Sequence, residues 1–160
     1  MKLLACEVDK RSFLGVLNED ETWVYPVAAA GMEYRSMKEL IREAGPSEME
    51  MLDYISKKAP GDVMGAAPVD EIRVVSPIAE PDQDIICLGI NYMDHAKESA
   101  RFKKEEFSKP EKAIYFSKRV NRTNDPDGII PAHKNLTNQL DYEAELAVII
   151  KKDAKDVKPG

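Results

Sequence analysis

Three carboxylates alternate along one apolar stretch late in the chain. Asp141, Glu143 and Glu145 occupy every second position of the run LDYEAELAVII, residues 140–150. The alternation and the β-branched end predict a strand, and residues two apart on a strand share a face. Like charges on one face repel, so a divalent cation such as Mg²⁺, Mn²⁺ or Ca²⁺ would stabilise them with oxygen ligands. The pattern alone favours the alternative, an edge strand whose acidic end is solvated.

A histidine and a glutamate three positions apart follow a predicted buried strand, DIICLGI, residues 84–90. Asn91 predicts the N-cap of a helix over residues 92–100, on which residues three apart are neighbours. Glu98 would then contact the imidazole of His95, fix its tautomer and raise its basicity, as a general base requires. A surface ion pair is the more frequent explanation of such a spacing, so both interpretations stay open.

Basic residues follow the next predicted strand, AIYFS, residues 113–117. Lys118 and Arg119 either bind an anionic substrate or form a solvated strand end. The second histidine, His133, lies in a polar loop, where we interpret it as structural or exposed.

The elements that must position these residues divide into two predicted domains. Residues 1–72 are predicted to form a small α+β domain, with a hairpin over residues 2–17 and a third strand over residues 22–27. Two helices should follow, with Ser36 and Ser47 as their N-caps. A strand over residues 69–75 and a proline-rich connector should lead into a second domain, residues 73–160.

Composition excludes several classes of protein. The chain has 160 residues and a net charge of -6, and 43% of its residues are hydrophobic. These values are typical of a globular protein with a core, and they do not favour nucleic acid or an anionic membrane as a partner. The sequence shows neither a signal peptide nor a run of transmembrane length. Two distant cysteines, Cys6 and Cys87, predict reduced thiols in a cytoplasmic protein.

The order of the motifs adds a resemblance to a known family. The stretches are GINYMDHAKE from residue 89, YFSK from residue 115, GIIP from residue 128 and DYEAELAVI from residue 141. In this order they closely resemble the fumarylacetoacetate hydrolase family in its bacterial two-part form. The resemblance is strong over about residues 70–160 and weak before them.

The resemblance implies a mixed β-roll catalytic domain that binds Mg²⁺ or Mn²⁺, with Ca²⁺ as a further candidate. Glu143 and Glu145 match two metal-binding carboxylates of the family, and His95 and Glu98 match its catalytic dyad. Lys118 matches a basic residue near the substrate. The family's substrates are 2-oxo or 1,3-dioxo acids, and members are commonly homodimers.

The expected function is that of a hydrolase or lyase that cleaves, decarboxylates or isomerises a small oxo acid, as in the catabolism of aromatic compounds. Family members also carry a third metal carboxylate, which is expected beyond residue 160. The sequence is therefore expected to be part of a longer protein or a truncated product. The alternative function is a catalytically incomplete fragment, or a non-catalytic binding or oligomerisation module of the same fold.

Overall fold

The computed structural model describes residues 1–94, 96–97 and 112–158. The chain forms two compact units, of which unit 1 comprises Met1–Ile78 with Asn124–Gly160 and unit 2 comprises Ala79–Thr123. Unit 1 combines a sheet with separate helices, which is an α+β arrangement. None of the helices in the described ranges is long and apolar enough to cross a bilayer.

Unit 1 contains a five-stranded antiparallel sheet with the order β4-β3-β2-β1-β5. Its strands are β1 (Leu3–Val8), β2 (Arg11–Leu17), β3 (Trp23–Pro26), β4 (Ala67–Pro68) and β5 (Arg73–Val75). β1 and β2 form the predicted hairpin, with Val8 opposite Arg11. Asp9 and Lys10 connect them, both at positive φ, as a two-residue turn matching the twist of the strands requires.

Two helices cover this sheet and form the core with it. They are α1 (Met37–Glu43) and α2 (Pro46–Ser56). The fully buried residues Val16 and Tyr25 of the sheet belong to the same cluster as Leu40 of α1 and Leu52 of α2. Ser36 is the N-cap of α1, and its Oγ accepts a hydrogen bond from the backbone N–H of Glu39 at 3.2 Å. The prediction for α1 is therefore confirmed.

The start of α2 differs from the prediction that Ser47 is its N-cap. The helix begins two residues earlier than predicted, at Pro46, and Gly45 is the N-cap. The Glu48 carboxylate accepts a hydrogen bond from the backbone N–H of Gly45 at 3.1 Å. Proline suits the first helical position, because its fixed φ is helical and the N–H that it lacks would be unpaired there.

The strand predicted over residues 69–75 is shorter in the structure. A 3₁₀ turn occupies Val69–Glu71, and only Arg73–Val75 forms a strand, which pairs with β1. β5 thus lies after the predicted boundary at residue 72 and still belongs to the sheet of unit 1. The boundary itself stays a prediction.

Unit 2 contains an antiparallel pair, β6 (Ile85–Gly89) and β7 (Ile114–Lys118). Both predicted strands are therefore confirmed, but the prediction that the first of them is buried is wrong, because no residue of β6 is buried. Large apolar side chains are exposed on this pair, namely Ile85, Ile86, Leu88, Ile114, Tyr115 and Phe116. All pairings among the described strands are antiparallel, so the mixed β-roll stays a prediction.

Candidate functional site

The acidic run of residues 140–150 is not a strand in the structure, which corrects the prediction. It pairs with no strand of the described chain, and its residues are exposed. Tyr142 is 88% exposed and Leu146 is 83% exposed, although both are large and apolar. A strand forms only when a second strand lies beside it and exchanges backbone hydrogen bonds, and local alternation cannot supply that second strand.

Glu143 and Glu145 are the two carboxylates of this run that have no hydrogen-bond or ion-pair partner among the described residues. The third, Asp141, accepts a hydrogen bond from the backbone N–H of Tyr142 at 2.8 Å. Two unpaired carboxylates fit a hard divalent cation in the chemistry of their donor atoms. Over the residues that the structure describes, no third His, Cys, Asp or Glu groups with them to form a metal cluster.

Lys151, the residue that follows the acidic run, contacts the C-terminal end of α1. The Lys151 Nζ donates a hydrogen bond to the backbone carbonyl of Ala44, the C-cap of that helix. A cation is favoured at this end of a helix, because the last carbonyl groups are unpaired there. Lys151 is therefore attached to the end of α1, whereas residues 142–150 expose their apolar side chains.

The predicted catalytic dyad, His95 and Glu98, lies outside the described residues. The described residues before and between them are consistent with the helix predicted over residues 92–100. Met93, Asp94, Ala96 and Lys97 are helical, and the Ala96 N–H donates to the Tyr92 carbonyl at 3.0 Å. Asp94 and Lys97 form an ion pair at 3.7 Å.

Lys118 is the last residue of β7, where it lies opposite Ile85 of β6. Its side chain is exposed, and its Nζ lies 5.9 Å from the centre of the Phe116 ring. The ring is on the same face of the strand because it is two residues away. The geometry leaves the ammonium group accessible to an anion, and the prediction that Lys118 binds substrate stays a prediction.

One polar cluster was missed by sequence reasoning. Arg73 of β5 contacts two carboxylates, Glu7 of β1 at 3.1 Å and Asp125 at 2.8 Å. The stretch NDPDG, residues 124–128, indicated only a turn, which the structure confirms by the hydrogen bond from the Gly128 N–H to the Asp125 carbonyl at 3.0 Å. No local pattern could show that the side chain of Asp125 pairs with an arginine in a strand 52 residues earlier.

Comparison with known proteins shows which protein family and which relatives the chain is similar to. The family described as Fumarylacetoacetate (FAA) hydrolase C-terminal matches residues 84–160. Oxaloacetate tautomerase YisK of Bacillus subtilis is 32% identical, over 95% of this chain and 52% of the relative. An uncharacterised protein of Staphylococcus epidermidis is 27% identical, over 100% of this chain and 54% of the relative.

Through residues 84–160, this chain belongs to the fumarylacetoacetate hydrolase family. The chain spans about half the length of the curated relatives that it matches. The resemblance inferred from the motifs is confirmed.

Proposed function

We propose that the protein is a metal-dependent enzyme that tautomerises a small 2-oxo acid between its keto and enol forms. The observation that carries the proposal is the similarity to oxaloacetate tautomerase YisK, which extends over 95% of this chain. A C–C bond hydrolase for 1,3-dioxo acids, as in the catabolism of aromatic compounds, is the second candidate, because the matched family is named for such a hydrolase.

Glu143 and Glu145 would hold Mg²⁺ or Mn²⁺. Neither carboxylate has a partner among the described residues, so metal binding would break no existing interaction. When bound, the metal would supply Lewis-acid polarisation of the substrate carbonyl. Two carboxylates bind Mg²⁺ weakly by themselves, because Mg²⁺ keeps several waters and additional ligands.

His95 and Glu98 would move the proton in this reaction. Keto–enol tautomerisation removes a proton from the carbon beside the carbonyl and delivers one to the carbonyl oxygen. Removal of the first proton needs a base and delivery of the second needs an acid, and an imidazole can serve as either because its ordinary pKa lies near neutral pH. Glu98 would orient the imidazole from three residues along the predicted helix.

Lys118 would pair with a carboxylate of the substrate. Its ammonium group is exposed at the end of β7, and a 2-oxo diacid such as oxaloacetate carries two negative charges to balance. An ammonium group binds such an anion as a point charge, without the geometric demands of arginine.

The test uses the purified protein with oxaloacetate and with a 1,3-dioxo acid, each with Mn²⁺ and after chelation with EDTA. We expect metal-dependent loss of the enol absorbance of oxaloacetate. His95→Ala should lower kcat by roughly 10²–10⁴-fold, the range for a lost general base.

Metal binding is tested separately by calorimetry with Mn²⁺. Glu143→Ala combined with Glu145→Ala should abolish the binding heat. The matched control is Asp153→Ala combined with Asp156→Ala, which removes two exposed acidic residues of the same segment and should leave the heat unchanged. Equal heats from all three proteins would refute the metal assignment, and turnover of neither substrate would refute the enzymatic function.

A further inference from the structure

One edge of the strand pair in unit 2 is open to a further strand. Over the described residues, the sheet of unit 2 consists of β6 and β7 alone, and β7 is paired to β6 along one edge. Ile114, Tyr115 and Phe116 of β7 are 51%, 67% and 45% exposed. An exposed edge that carries apolar side chains is a template for an additional strand from another chain. β7 therefore offers a docking edge, defined by Ile114–Lys118.

The acidic run of residues 140–150 has the composition of a strand that would fit this edge. Val148 and Ile149 are 77% and 51% exposed, and β-branched residues such as these favour strands. The run forms no strand within its own chain, and the edge of β7 stays open, although the structure describes both stretches. Lys151 attaches the run to the end of α1 through its hydrogen bond to the Ala44 carbonyl. The run is thus held at one end while its apolar side chains are exposed.

The order of charged and apolar residues fixes the direction in which the run would pair with β7. β7 begins with apolar residues and ends at Lys118, whereas the run is acidic up to Glu145 and apolar after it. Only an antiparallel pair brings both the charged ends and the apolar ends together. A register with Lys118 opposite Glu145 also opposes the apolar residues, namely Phe116 with Ala147, Tyr115 with Val148 and Ile114 with Ile149. A parallel pair with the same charge contact would place Phe116 opposite Glu143, where a carboxylate would lose water against an aromatic ring.

The charges of the two stretches are complementary. Lys118 is followed by Arg119, and Glu145 is preceded by Asp141 and Glu143. Neither Lys118 nor Glu145 has an ion-pair partner among the described residues, so a contact between them would break no existing ion pair. Opposite charges on neighbouring strands stabilise the pair, and like charges directly opposite destabilise it. The charges therefore favour one register of the run on β7.

We propose that residues 145–149 of one copy of this chain add as an antiparallel strand to the β7 edge of a second copy, and that the second copy returns the same contact. A reciprocal exchange of this kind is an isologous interface with twofold symmetry, which closes as a dimer. Each copy then covers its open β7 edge and its exposed run at once. The exchange requires no contact between the two units of one chain, because the strand and the run belong to different copies.

The test is a charge exchange between Lys118 and Glu145, measured by analytical ultracentrifugation of the full chain. The parent should form a discrete dimer. Lys118→Glu and Glu145→Lys should each raise the dimer Kd about tenfold or more, because both opposite-charge contacts of the dimer become like-charge contacts. EDTA is present throughout, since a cation bound to Glu145 would compete with Lys118 for its carboxylate.

Mixing the two variants in equal amounts distinguishes pairing between copies from pairing within one chain. In a mixed dimer, the glutamate introduced at position 118 faces the lysine introduced at position 145, and the second contact is that of the parent. The mixture should therefore dimerise with a Kd within about threefold of the parent value. Pairing within one chain would leave the like charges together in every molecule, so mixing would have no effect.

Control variants separate the proposed contact from general effects of charge and folding. Lys10→Glu and Asp20→Lys reverse exposed charges in turns of unit 1 and should leave the dimer Kd within about twofold of the parent value, alone or mixed. Val148→Asp places a carboxylate opposite Tyr115 and should raise the Kd about tenfold or more. Because Val148 is exposed in the single chain, this variant should keep the urea midpoint of the monomer, measured by the fluorescence of Trp23.

A monomeric parent would overturn the proposed exchange, whether its run pairs with β7 of the same chain or its exposed surfaces bind a protein of different sequence. A dimer whose Kd is unchanged by both charge reversals would show that two copies associate through another surface. Single variants whose dimerisation is not restored by mixing would also refute the exchange. Restoration by mixing, together with unchanged control variants, would establish it.

Discussion

Removal of the Tyr25 hydroxyl should destabilise unit 1 by a predictable amount. Tyr25 is fully buried in the core of the sheet, and its hydroxyl donates a hydrogen bond to the backbone carbonyl of Lys58 at 2.8 Å. Lys58 lies just after α2, so the bond connects the sheet to the end of that helix. Tyr25→Phe keeps the ring and removes the donor of this part-buried hydrogen bond, which costs about 0.5–1.5 kcal/mol, the usual net contribution of one such bond.

The assay is urea denaturation followed by the fluorescence of Trp23, the single tryptophan of the chain. Trp23 lies in β3, two residues from Tyr25, and therefore reports on the unfolding of this sheet. With a urea m-value of about 1–2 kcal/mol/M, the midpoint should fall by roughly 0.3–1.5 M at unchanged slope. An altered slope would indicate a changed denatured state and not the loss of one hydrogen bond.

The matched control is Tyr54→Phe on α2. Tyr54 is an exposed tyrosine whose ring centre lies 4.8 Å from the Lys58 Nζ, so loss of its hydroxyl should change the free energy of unfolding by less than about 0.5 kcal/mol. A midpoint for Tyr25→Phe as high as that of the control would refute the reasoning, because it would mean that the Lys58 carbonyl is satisfied without the tyrosine.

Three further predictions concern helix capping, pH dependence and assembly. Ser36→Ala removes the N-cap of α1 and should cost about 1 kcal/mol in the same denaturation assay, whereas Ser36→Asp should retain stability. Burial raises the pKa of the Cys6 thiol from 9.0 to about 11. The unfolded chain therefore releases this proton at a lower pH than the folded chain does. The free energy of unfolding should fall by roughly 2–3 kcal/mol between pH 9 and pH 11, and below pH 9 it should not depend on this thiol. Cys6→Val should reduce that fall, and an unchanged pH profile would contradict the assignment. The exposed apolar pair of β6 and β7 should drive formation of a homodimer, which light scattering checks; a monodisperse monomer would contradict it.

The local sequence determined most of the elements of unit 1 and the sheet of unit 2. Two strand-like runs separated by the short polar stretch of residues 9–11 predicted the β1–β2 hairpin, and Ser36 predicted the start of α1, because these signals act within a few residues. The N-cap of α2 was predicted two residues late, since Ser47 and Gly45 both suit a cap and Pro46 decides between them. The order of the motifs along residues 89–149 was also enough to identify the family, because that order is a property of the sequence and does not depend on tertiary contacts.

Tertiary structure decided what depends on a distant partner. The pattern of residues 140–150 predicts a strand, yet a strand needs a neighbour, and no described part of this chain pairs with it. Asp125 lies in a stretch that indicates only a turn, and its pairing with Arg73 depends on β5 joining β1. Alternation and turn composition are local properties, whereas hydrogen-bonded ladders and ion pairs across 50 residues exist only after the chain has folded, so the residues alone could not reveal them.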